Sequence, residues 1–150
     1  MNTVMPIGTE YFAKLRNNNY YFVDKTTFLS EFFRGHADVT LLTRPRRFGK
    51  TLLMSMTQQF LDIEDAEEHR KLFEGLKVMD DPVAMAEQGT RPVIFLTLRD
   101  WDSNTWESMQ EFIAFGLQDV CQNFRFLGES DKVSQEDKEA FHTLLWRKGD

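Results

Sequence analysis

The stretch that most constrains this chain is "VTLLTRPRRFGKTLLMSMTQQFLDI", residues 39–63. An apolar run from Val39 to Thr43 leads into a basic loop. After the loop, the spacing of Leu53, Met56, Phe60 and Ile63 predicts a helix from about Lys50 to Ile63 with one buried stripe. A short apolar run with few polar breaks suits a strand buried on both faces, as in a parallel sheet. Strand, loop and helix in that order are the setting of the phosphate-binding pattern G-x-x-x-x-G-K-[ST]. Gly49, Lys50 and Thr51 complete the pattern, but Arg44 stands where it has its first glycine.

The chemistry expected of such a loop follows from the helix start. The first turn offers unpaired N–H groups and a partial positive charge. Gly49 lets the backbone approach an anion closely. Lys50 has the reach for β and γ phosphates, and the Thr51 hydroxyl suits Mg2+. Arg44, Arg46 and Arg47 add further charge around Pro45 and Phe48. A unit charge pair 4 Å apart is worth about 4 kcal/mol at an effective dielectric near 20, less the cost of desolvation. Crowded cations repel one another unless a polyanion is near. The plainer reading, a solvated basic turn, sets cations against the helix dipole. Arg44 requires a different backbone path from the usual glycine, which the fixed φ of Pro45 assists.

The rest of the composition makes that cluster a local exception. The chain has 150 residues, 41% of them hydrophobic and 28% charged, with 14 phenylalanines to build a core. Its formal net charge is −6, so any anion site must be local rather than general. A single cysteine, Cys121, permits no internal disulfide and fits a reducing cytoplasm. No apolar run approaches the roughly 20 residues of a membrane span, and residues 1–9 do not resemble a signal peptide.

Elsewhere the pattern predicts a short helix over Tyr11–Arg16, a break at Asn17–Asn19 and an extended Tyr20–Val23. Asp24 is expected to cap a helix reaching Arg34, ended by Gly35. A charged helix over Asp65–Phe73, supported by a Glu67–Lys71 pair and closed by Gly75, follows the loop helix. A short helix over Asp80–Gln88 is expected next. Then comes the strand "VIFLTL", Val93 to Leu98, begun by Pro92. Ser103 is expected to cap a long helix to about Phe124. Ser134 with Asp137 forms a capping box for a last helix to Trp146, with Phe141, Leu144 and Leu145 inward. Strands alternating with helices predict an α/β fold with a parallel sheet flanked by helices.

"MPIGTEYFAKLRNNNYYFVDKTTFLSEFF", "VTLLTRPRRFGKTLLMSMTQQFLDI" and "RPVIFLTLRD" together resemble the AAA-ATPase-like family of bacterial and archaeal proteins, from about Pro6 to Asp100. The resemblance implies a P-loop NTPase-like α/β domain that binds ATP with Mg2+. In that family Arg-Pro-Arg-Arg-Phe is the usual loop, so Arg44 departs from the general motif and not from the family. The implied phosphate-binding residues are Arg44, Pro45, Arg46, Arg47, Phe48, Gly49, Lys50 and Thr51, with Lys50 catalytic and Thr51 on the metal. The family commonly carries a C-terminal nuclease-like domain of the PD-(D/E)xK type, and a later strand ending in acidic residues. Neither is in this sequence. The expectation is therefore one partial domain over residues 1–150, with a helical and extended segment 1–37 and an α/β core 38–150. It would be an N-terminal fragment that hydrolyses little ATP by itself.

Other residues carry weaker claims. Asp100 is an alternative metal ligand but reads better as a strand-end charge, and Asp100 with Asp102 lacks the lysine of a nuclease site. Tyr20, Tyr21 and Phe22 fit either a base pocket or core packing. Asp24, Lys25 and Thr26 fit a helix start or the same base pocket. Trp101 and Trp106 are expected to pack. His36, His69 and His142 lack ligand spacing, and Cys121, on an apolar helix face, reads as a small buried residue rather than a nucleophile. Two other functions remain open: a module gripping nucleic-acid backbone through Arg44, Arg46 and Arg47, and an inert scaffold for partners or oligomers. No membrane role is expected.

Overall fold

Helices, and not strands, are what these apolar residues build. The computed structural model describes residue 5 and residues 8–97 and 104–145, and the chain divides into two compact units, Met1–Val93 and Ile94–Asp150.

In the first unit, α1 (Phe12–Asn17) starts with the Phe12 N–H donating to Ser55 Oγ at 3.1 Å, so a buried hydroxyl from a distant helix serves as its cap. Asn19, at φ 50°, turns the chain away, as the run of asparagines foretold. Helix α2 (Thr27–Gly35) ends one residue later than expected. Gly35 lies inside the helix and His36 takes the left-handed position at φ 45°. Nor is Asp24 its cap. Asp24 Oδ1 accepts from Thr26 N–H and Oγ1 at 2.8 and 2.6 Å, and Oδ2 accepts from Lys77 N–H at 2.9 Å. The carboxylate thus ties the entry of α2 to the 3₁₀ turn Lys77–Asp80.

Helix α3 (Lys50–Leu61) runs into the core, and α4 (Ala66–Lys71) turns back beside it. On α4 the ion pair is Glu68–Lys71, one residue closer in sequence than the expected Glu67–Lys71. The Asp80–Gln88 helix is shortened to α5 (Pro82–Met85). Asp81 caps it with bonds from Val83 and Ala84 N–H, and Pro82 supplies a first residue whose missing N–H costs nothing. Phe12, Leu29, Met56, Phe60, Phe73 and Val78 form the centre of a contiguous core. Its rings interlock, Phe12–Phe73 at 4.9 Å and Phe60–Phe73 at 5.0 Å between centroids. Ile63, placed in the buried stripe by spacing alone, lies beyond the end of α3 and is exposed.

The second unit holds α6 (Trp106–Asn123) and α7 (Gln135–Leu145), joined by a 3₁₀ turn. Thr105 caps α6 through a bond from Ser108 N–H; the expected cap Ser103 lies outside the described residues, as do Trp101 and Trp146. Ser134 caps α7 as its sequence predicted, accepting from Asp137 N–H at 3.1 Å and donating to Asp137 Oδ2 at 2.6 Å. Leu145 is buried, but Leu144 and Trp106 are exposed against expectation.

The expected parallel sheet is overturned. Among the described residues the backbone pairing of strand type is one isolated bridge, Asp62 to Arg91. Residues 39–43 and 92–97 carry no ladder. Val39 and Leu41 are 86% and 81% exposed, the reverse of a strand buried on both faces. An apolar run says that a segment gains from burial. It does not supply the neighbouring backbone whose N–H and C=O groups complete a ladder. Here the phenylalanines of the helices fill the core instead.

Candidate functional site

The loop between Thr43 and Lys50 is shaped by two left-handed residues and crossed by one side chain, Lys50. Arg47 and Gly49 both take left-handed conformations, at φ 69° and 74°. Alternation of this kind turns successive N–H groups toward one side. Gly49 is the residue before α3, and no side chain caps that end. The first bond of the helix runs from Leu53 N–H to the Gly49 carbonyl, so the N–H groups of Lys50, Thr51 and Leu52 have no acceptor within the helix. That is an anion-binding geometry with a partial positive charge behind it.

Lys50 does not point away from this loop. Its ammonium donates to the Pro45 carbonyl at 3.0 Å and to the Arg44 carbonyl, folding back over the loop's first half. Arg44, Pro45, Arg46, Arg47 and Phe48 are exposed, while Gly49, Lys50 and Thr51 are half-buried. The ion pairs among the described residues are Arg34–Asp81, Lys71–Glu68 and Arg91–Glu87, so no carboxylate there neutralises the loop arginines. The residues expected at the site are therefore together, with Lys50 clasping the loop.

One residue near the site was not placed there by spacing. The Lys25 ammonium lies 3.9 Å from the point where a Cβ on Gly49 would stand. Phe22, a candidate for a base pocket, packs edge-on against Phe12 at 5.5 Å, while Tyr21 is exposed. Asp24 is spent on Thr26 and Lys77. Burial opposes its ionisation, but the Thr26 hydroxyl and the Lys77 and Thr26 N–H groups outweigh that and hold its carboxyl below the usual range. Asp100 and Asp102 lie outside the described residues. Among the described residues no group of three His, Cys, Asp or Glu side chains could hold a metal, and Cys121 is free and half-buried. A single threonine hydroxyl with the ligand's own phosphates is a donor set that Mg2+ accepts, since it keeps several waters.

The described geometry is thus a basic loop leading into an uncapped helix start. Residues 6–148 match the protein family described as "Predicted AAA-ATPase", and the chain belongs to that family. It is also 40% identical, over 78 residues, to the "Uncharacterized protein in vnfD 5'region" of Azotobacter chroococcum mcd 1. That stretch is 51% of this chain and 14% of that protein's length. No solved structure matches the chain. No helix among the described residues is long and apolar enough to cross a membrane.

Proposed function

We propose that this chain is the nucleotide-binding part of an ATPase and holds ATP with Mg2+ through loop 44–51. The observation that carries the reading is the uncapped start of α3 at a left-handed Gly49, ringed by cations without carboxylate partners. Membership of a predicted ATPase family supports it. Backbone N–H groups from Arg46 to Lys50 take the phosphate oxygens. Lys50 exchanges the Arg44 and Pro45 carbonyls for the β and γ phosphates, a stronger partnership because the acceptor is charged. Thr51 lends its hydroxyl to Mg2+, which when bound offsets charge on the terminal phosphates. Little or no hydrolysis is expected of these 150 residues by themselves. Labelled ATP titrated against the wild type and Lys50→Ala is the test. The substitution is expected to weaken binding roughly ten- to hundredfold. Equal affinities would overturn the reading.

The exposure of Arg44, Arg46 and Arg47 favours a second reading, a grip on nucleic-acid backbone. Its signature is binding that falls steeply with salt and is indifferent to Mg-ATP. The net charge of −6 weighs against it.

A further inference from the structure

Lys25 lies well before the loop in the chain, yet its ammonium is the nearest atom to the open side of Gly49, 3.9 Å from the missing Cβ. Its neighbours explain how it is held there. Asp24 on one side is bonded to Lys77 N–H, and Thr26 on the other is fully buried, its Oγ1 accepting from Val78 N–H at 3.1 Å. Two fixed residues thus bracket an exposed lysine and turn it outward, toward the loop. Lys25 makes no ion pair among the described residues, and both oxygens of the adjacent Asp24 are already engaged. Lys50, by contrast, has its ammonium on the Arg44 and Pro45 carbonyls. Of the two lysines at Gly49, Lys25 is the one whose charge is unspent.

We infer that Lys25 is a second phosphate-binding lysine, meeting the polyphosphate of the nucleotide across the face that Gly49 leaves open. This rests on the reading of loop 44–51 as a phosphate site. An oxyanion accepting from the first N–H groups of α3 sits beside Gly49, within reach of a mobile ammonium. A point charge on a flexible stem is suited to a phosphate whose oxygens turn as Mg2+ binds. The absent side chain at position 49 then has a second reason. Besides its left-handed φ, a Cβ there would take up space directly against the Lys25 ammonium, 3.9 Å away.

The test uses the 150-residue chain with labelled Mg-ATP, and with inorganic tripolyphosphate as a competitor. Lys25→Gln should weaken both ligands about tenfold, the scale of one charged hydrogen bond. Lys25→Arg should recover most of the loss. The melting temperature without ligand should stay unchanged, because the side chain is exposed. If Lys50→Ala weakens binding and Lys25→Gln does not, the role of Lys25 is overturned and the loop reading stands. If the wild type binds neither ligand, both fall. A loss confined to ATP, with tripolyphosphate unaffected, would move Lys25 to the base and overturn its phosphate role. So would a drop in melting temperature for Lys25→Gln and Lys25→Arg alike, which would make the lysine structural.

Discussion

Phe60 and Phe115 sit on helices of similar character in different units. Phe60, on α3, is completely buried, while Phe115, on α6, keeps 66% of its surface exposed. The first unit surrounds α3 with α1, α4 and the aromatic cluster, so each ring finds others. The second unit gives α6 the company of α7 and a 3₁₀ turn, and no residue of α6 is buried. Apolar content alone does not make a core. Two short elements can cover one stripe of an 18-residue helix, and the remaining apolar positions, Phe112 and Leu117 among them, stay open. Helix α6 has a side-chain cap at its start, Thr105, but no fully buried position along its sides.

The largest effect should come from truncating the same residue type in both units. Phe60→Ala should cost about 3–5 kcal/mol in chemical denaturation, the range for a buried ring, and Phe115→Ala less than about 1 kcal/mol. Equal costs would dissolve the contrast between the units. Next in size are the helix ends. Thr105→Ala and Ser134→Ala should each remove about 1 kcal/mol, seen as lost helical signal from the second unit. A cost near zero would mean that side packing, and not capping, holds these helices.

The smallest effect concerns acid and is confined to the first unit. Asp81 is held below its ordinary value chiefly by the Ser30 hydroxyl, aided by Ala84 and Val83 N–H and the Arg34 guanidinium, against some desolvation. Asp24 is lowered as well. A carboxyl depressed in the folded state contributes stability above its unfolded value, near 3.8, and loses it as pH falls through the folded value. Unit-one stability should therefore be flat above about pH 5 and decline below about pH 4. Asp24→Asn should flatten part of that decline, and an unchanged acid limb would remove Asp24 from the account.

Local signals were legible in the sequence wherever cause and effect lie within one turn. Ser134 and Asp137 are three residues apart and cap α7 as expected. The Gly49-Lys50-Thr51 corner gave the start of α3. What spacing could not carry was partnership at a distance. Asp24 looked like a cap, but its second oxygen belongs to Lys77, 53 residues on. Ser55, which no local pattern marks, accepts from the Phe12 N–H of another helix. The supposed strands erred for the same reason, since a ladder needs a neighbour that the segment itself does not encode. Lys25 beside Gly49 is another such meeting, and no pattern of fixed spacing could have announced it.

Helix α3 is anchored at the end remote from its loop. Gly89 N–H donates to the Phe60 carbonyl, Arg91 N–H to the Leu61 carbonyl, and Ile63 N–H to the Arg91 carbonyl. Gly89 can stand so close because it has no Cβ; one there would come within 2.6 Å of Ala66 Cβ. A helix of 12 residues is about 18 Å long and stiff along its axis. It acts as a strut, and its far footing fixes where Gly49 stands. A side chain introduced at position 89 would press on Ala66 at the start of α4, beside that footing.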